Sequence, residues 1–160
     1  MPRGLGGGTP SPRPLHPRRL MRVLGLDVGE RRIGIAKPDE TGTLAVPYGV
    51  YHRKNLAEDV ASLSALCQKL GIEALVVGLP LNMDGTEGPQ AKKVREFAEK
   101  LAEAVKVPVF YVDERWTTEE VERAMREAGE KPSREKEKVD ALSAVLILQV
   151  WLESRRSGYH

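Results

Sequence analysis

Between Val23 and Val50 the apolar residues fall in short runs with the alternation of extended chain. Beyond Asn55 they change to the three-and-four spacing of helices, separated by compact apolar runs. Val23 to Val28 and Arg32 to Lys37 predict two strands joined around a Gly29-Glu30 turn. Leu44, Val46, Tyr48 and Val50 alternate as a third strand, and Pro47, which cannot donate to a central ladder, places it at a sheet edge. Asn55 followed by Glu58 reads as a capping box opening a helix through Leu56, Val60, Leu63, Leu66 and Leu70, with Gly71 ending it. Ile72 to Leu79 is a nearly unbroken apolar run, which suits a strand covered on both faces.

Residues 80–89 are turn chemistry, and Ala91, Val94, Phe97, Ala98, Leu101 and Val105 then mark a second helix. Val107 to Val112 is another apolar strand that runs into Asp113-Glu114-Arg115-Trp116. Thr117 with Glu120 opens a third helix that closes near Gly129, followed by a charged connector from Glu130 to Lys138. The last helix, Val139 to about Leu152, is apolar nearly all round and should pack deeply. The order βββαβαβαα implies an α/β fold with a mixed five-stranded sheet, an antiparallel hairpin at one side and parallel strands after it. Ligands in such sheets gather outside the carboxyl ends of the strands.

One carboxylate breaks the pattern. Leu24, Leu26 and Val28 share one face of the first strand, and Val23, Gly25 and Asp27 share the other. Asp is a poor strand former and costly to bury alone, so Asp27 must be solvated, hydrogen-bonded, used to cap its turn, or bound to a cation. Glu114 just past the fifth strand and Asp140 at the head of the last helix fall where apolar segments meet the same expected edge. Two unit charges ~4 Å apart repel by about 4 kcal/mol at an effective dielectric of ~20, which gives a fold no structural benefit. A hard divalent cation removes that repulsion, and phosphodiester hydrolysis uses such a site to activate water and stabilise the leaving oxygen.

Composition narrows the setting. The chain has 160 residues, 41% hydrophobic and 30% charged, enough for one domain with a real core. No apolar run is long enough to cross a bilayer. Cys67 is the only cysteine, which excludes an internal disulfide framework and suits a reducing cytoplasm. Residues 1–20 are rich in Gly, Pro and Arg without a hydrophobic period and read as a disordered basic tail, leaving 21–153 as the folded domain and 154–160 as a short C-terminal tail. The five arginines up to Arg22 conceal a net charge of −3 in the remainder, so nucleic-acid binding must come from local patches. Lys92, Lys93 and Arg95 near a helix start, where the dipole disfavours cations, are one such patch. Asn82 could bond a phosphate or only its own turn, and Trp116 could stack on a base. His16, His52 and His160 form no pattern of a base or a metal site.

Four blocks carry a resemblance. Gly25-Leu26-Asp27-Val28-Gly29 through Arg32-Ile33-Gly34-Ile35-Ala36, then Val77-Gly78-Leu79-Pro80 with Asp84-Gly85, then Val112-Asp113-Glu114-Arg115 with Thr117-Thr118, and finally Asp140-Ala141 resemble the YqgF (RuvX) family over about residues 21 to 152. The resemblance implies a ribonuclease H-like fold related to Holliday-junction resolvases, and a nuclease that matures the 5′ end of pre-16S ribosomal RNA. It implies that Asp27, Glu114 and Asp140 are catalytic acids holding one or two Mg²⁺ or Mn²⁺ ions. Arg32 and Arg115 match basic positions in the family's motifs, and together with Asn82 and Lys92 from the reading above they are the expected contacts to nucleic acid, either precursor rRNA or branched DNA. No membrane partner is expected, and a homodimer is left open. In the wider superfamily the fourth strand commonly ends in an acid, whereas here it ends Gly78-Leu79-Pro80, so the second acid is expected from the fifth strand. Asp113 and Glu114 compete for that role, and Glu114 fits the motif; Asp84 stands in reserve. The alternatives are a junction-cutting DNA resolvase, an RNA-binding module without turnover, and an actin-like ATPase whose second domain this chain is too short to supply.

Overall fold

The computed structural model describes the backbone of residues 21–116 and 136–156, and side chains over 21–115 and 141–155. Strands β1 (Val23–Val28), β2 (Arg32–Pro38) and β3 (Ala45–His52) come first, followed by helix α1 (Leu56–Leu70) and strand β4 (Ala74–Leu79). Helix α2 (Pro89–Val105), strand β5 (Val109–Asp113), a 3₁₀ turn (Glu114–Trp116) and helix α3 (Lys136–Arg156) complete the described chain. The helix expected from Thr117, most of the charged connector and the tail before Met21 lie outside the described residues.

The five strands form one sheet in the order β3-β2-β1-β4-β5. β1 pairs antiparallel with β2 and parallel with β4, and β4 pairs parallel with β5, so the hairpin lies at one side as expected. β3 is an edge strand. Its partners step from Gly49 opposite Ile35 to Pro47 opposite Ala36, a bulge that accommodates the proline where, among the described residues, no further strand needs its missing N–H.

Alternation in β1 divides the core into two layers. Leu24, Leu26 and Val28 point into a layer built with Leu63 and Cys67 of α1 and Val94, Phe97 and Leu101 of α2. Val23 points the other way, into a layer with Ala144, Ile147, Leu148 and Trp151 of α3. β4 is buried at all six positions, as a central parallel strand must be. Cys67 is fully buried, and burial pushes its thiol up to about 11, which leaves it a packing residue.

The helix ends follow local chemistry. Asn55 Oδ1 accepts from the Glu58 N–H at 2.9 Å, and Asn55 Nδ2 donates to Glu58 Oε2 at 2.9 Å, so the reciprocal arm of the cap is made between side chains. Gly71 closes α1 in the left-handed conformation with its N–H turned back on the helix. Among its described side chains α3 is not buried all round: Ala144, Ile147, Leu148 and Trp151 are buried while Val150 remains 42% exposed. Gln149 ties that helix to the edge strand by accepting from the Ala45 N–H and donating to the Thr43 carbonyl.

Candidate active site

Asp27 lies near the carboxyl end of β1 on the α3 face, with Gly34 of β2 as its antiparallel partner. Glu114 begins the 3₁₀ turn directly after β5. Since β4 lies between those two strands, the Glu114 side chain must cross over β4 to reach Asp27, and Gly78 makes the crossing passable. A Cβ at position 78 would stand 3.0 Å from Glu114 Oε1 and 2.4 Å from Ile147 Cδ1. The absence of an acid at the end of the fourth strand is therefore matched by the room that its glycine gives to the acid from the fifth.

Asp27 and Glu114 share a side-chain hydrogen bond. Two carboxylates can do so only when one carries a proton. Burial pushes Glu114 up to about 9, with the hydrogen bond to Asp27 and the repulsion of its charge adding in the same direction. At neutral pH and without a cation the pair thus holds one proton between two partly buried acids. This donor set, oxygen-only and carrying more negative charge than the site can bear alone, fits a hard divalent cation. Among the described residues no three His, Cys, Asp or Glu side chains form a metal cluster, and the Asp140 side chain lies outside them. The backbone of α3 does set the direction of position 140. Trp151 packs on Phe110 early in β5 and Ile147 meets Gly78 late in β4, so the amino-terminal turns of α3 head for the edge where the two acids meet.

Asp113 has other work. Arg115 Nε donates to both of its carboxylate oxygens at 3.0 Å, Arg115 Nη2 reaches Oδ2 at 2.6 Å, and Nη1 donates to the Met83 carbonyl at 3.0 Å. Arg115 thereby fastens the 80–88 loop to the end of β5. Asn82 donates from Nδ2 to Thr86 Oγ1 within that loop, and Asp84 accepts from the Thr86 N–H and hydroxyl, which holds its carboxyl below the ordinary range. Of the other expected contacts, Arg32 opens β2 opposite His52 and Lys92 is exposed on the first turns of α2. Arg95 is bound bidentately by Glu87 and lies over the Tyr111 ring, a packing role. The Trp116 side chain lies outside the described residues.

Sequence reasoning missed one element beside the site. Asp59, 1% exposed, is the buried charged residue among those described, and it pairs with Arg53, whose guanidinium also holds the Gly29 carbonyl in the turn after Asp27. The signal was present: position 59 falls three after Leu56 and four before Leu63, so a carboxylate stands in the apolar stripe of α1.

The chain matches the RuvX family, described as Holliday junction resolvase, over residues 21–154. The chain belongs to the RuvX family. Its relatives include a protein of Thermosynechococcus vestitus named "Putative pre-16S rRNA nuclease", 44% identical over 136 residues and covering 85% of this chain and 90% of that one. A protein of the same name from Syntrophomonas wolfei is 46% identical over 138 residues, covering 86% and 98%. Among solved structures, this RuvX member resembles T. thermophilus RuvC in complex with a Holliday junction substrate, with a TM-score of 0.59 at 16% identity, covering 87% of this chain and 98% of that one. It also resembles the fowlpox virus resolvase solved with junction DNA, with a TM-score of 0.56 at 10% identity over 84% and 99%. At those identities the likeness establishes the ribonuclease H-like fold of the resolvases.

Proposed function

We propose that this RuvX member is a divalent-metal-dependent endonuclease that hydrolyses phosphodiester bonds of structured nucleic acid, with the 5′ end of precursor 16S rRNA as its substrate. The observation that carries this reading is the Asp27–Glu114 pair, one carboxylate from β1 and one from the turn directly after β5, held together at the carboxyl edge of the sheet. In the proposal Asp27 and Glu114 hold the cation, Mg²⁺ or Mn²⁺, and Asp140 completes its oxygen ligands. When bound, such an ion would neutralise the acids and polarise both the scissile phosphate and the attacking water. Glu114 would release the shared proton to solvent in holding such an ion, leaving both carboxylates as oxygen donors. Arg32 and Lys92 contact backbone phosphates, and Arg115 and Asn82 present the 80–88 loop to the strand. The relatives named above as pre-16S rRNA nucleases favour RNA over branched DNA as the substrate.

The test is cleavage of a precursor 16S rRNA fragment beside a four-way DNA junction, with Mg²⁺, with Mn²⁺ and with a chelator. Metal-dependent cutting of the RNA, abolished in a folded Asp27→Asn variant, is expected. Cutting that survives chelation or this substitution would overturn the proposed site, and preferential cutting of the junction would overturn the proposed substrate.

A further inference from the structure

Asp59 is almost completely buried and fully engaged: it accepts from Tyr51 Oη at 3.0 Å, from Arg53 Nε at 2.9 Å and from the Lys54 N–H at 2.9 Å. Burial alone would raise its carboxyl, but these hydrogen bonds and the Arg53 charge outweigh it and hold Asp59 below its ordinary range. Arg53 lies over the Phe97 ring, 5.1 Å from its centroid, and is itself largely covered. Replacing such a buried ion pair by well-packed apolar residues commonly costs a fold nothing, so stability gives the pair no obvious purpose. Its geometry gives it one. Arg53 Nη1 donates to the Gly29 carbonyl at 2.8 Å, and the Arg53 backbone N–H donates to the Arg31 carbonyl at 2.8 Å. One residue at the end of β3 therefore grips both limbs of the hairpin turn.

That turn lies two residues beyond Asp27 and immediately before Arg32. It is already tight: the Gly29 N–H donates to the Arg32 carbonyl at 2.9 Å, and a Cβ at position 29 would come within 2.8 Å of that oxygen. Val28, the final paired residue of β1, packs in the layer that holds α1, and beyond it the turn carries no ladder pairing, so the Arg53 bonds act on the segment where the ladder has ended.

We infer that Asp59 and Arg53 are positioning residues which set the end of β1, and with it the Asp27 carboxylate and Arg32, in the geometry that cleavage requires. The inference rests on the nuclease reading for its catalytic readout only. Arg serves this purpose where Lys cannot, because one planar fork meets Asp59 and the Gly29 carbonyl together, whereas an ammonium offers a single point of charge.

The experiment compares full-length wild type with Arg53→Lys, Asp59→Asn and Tyr51→Phe. Each is measured by thermal melting, by amide exchange of residues 28–34, by Mn²⁺ titration, and by kcat and KM on the precursor RNA. Arg53→Lys keeps a charge for Asp59 and should melt close to wild type, yet lose exchange protection in the hairpin and fall about 10- to 100-fold in kcat with KM nearly unchanged. Asp59→Asn should show the same catalytic loss with a clear drop in melting temperature. Tyr51→Phe removes one bond to Asp59 without touching the turn, and should lower the melting temperature while sparing kcat and protection. Wild-type protection and kcat in Arg53→Lys would overturn the inference, as would a loss in Tyr51→Phe matching that of Arg53→Lys. Should wild type neither bind Mn²⁺ nor cleave, the functional reading fails, and hairpin exchange alone then decides: protection lost in Arg53→Lys upholds the positioning role and protection retained refutes it.

Discussion

Gly78 and Glu114 occupy one another's space: the hydrogen that serves as the side chain of the first leaves the gap through which the carboxylate of the second reaches Asp27. Adding a single methyl there has two targets, Ile147 Cδ1 at 2.4 Å and Glu114 Oε1 at 3.0 Å. Gly78→Ala should therefore cost about 1–3 kcal/mol in a denaturant melt, as overpacking of a core does. It should also displace Glu114 and lower cleavage by more than about tenfold, a rate effect comparable to a misplaced catalytic group. Equal stability and rate would show that the crossing is not constrained.

The shared proton predicts an unusual pH dependence for the metal-free protein. Glu114 binds a proton in the folded state up to about 9, while its ordinary carboxyl range lies near 4.5, so between these values the folded chain holds a proton that the unfolded chain has lost. The stabilising contribution is therefore complete at low pH and is lost as pH rises through this window. Denaturant melts in a chelator should show this term declining from pH 5 to 9, and Glu114→Gln should remove it. Mn²⁺ affinity should rise over the same interval, because loading displaces the proton; affinity independent of pH would contradict the assignment.

Asp113 and Glu114 are adjacent, but their tasks differ. Asp113 is taken by Arg115, and through it anchors the 80–88 loop. Asp113→Asn should leave Mn²⁺ binding within about threefold of wild type, less than the 1.4 kcal/mol that separates tenfold steps. Glu114→Gln should abolish that binding. The reverse ranking in a calorimetric titration would move the metal to Asp113.

A substitution at the start of α1 that leaves Asp59 and Arg53 intact supplies the control. Asn55→Ala removes the cap of α1 and should cost about 1 kcal/mol of stability. Cleavage at a temperature where the variant remains folded should equal wild type, and a lower rate there would mean that α1 communicates with the site by a route other than Asp59.

The fold was legible because its physics is local. Alternation in β1 correctly divided Leu24, Leu26 and Val28 from Val23, Gly25 and Asp27; Pro47 marked the edge; Asn55 and Gly71 marked the ends of α1. Strand limits shifted by one or two residues, as with Ala74 rather than Ile72 opening β4, since apolar character continues past the last ladder bond. Asp27 could be found from chemistry alone, as a charge in an apolar strand. Glu114 could not: its motif singled it out, while its carboxylate reaches Asp27 only because Gly78, 36 positions earlier, carries no side chain. Spacing in α1 marks Asp59 as buried, but its partner Arg53 and the Arg115–Met83 contact depend on which loop faces which strand end, and spacing along the chain encodes neither.

In the proposed site Asp27 and Glu114 are two arms that hold one cation. This is tested most directly by a crystal of the full chain grown with Mn²⁺ and measured at the manganese absorption edge. An anomalous peak between the Asp27 and Glu114 carboxylates, at oxygen distances of about 2.0–2.2 Å as a small octahedral ion requires, is the predicted result. Carboxylates still hydrogen-bonded to each other in excess Mn²⁺, with no peak between them, would contradict it.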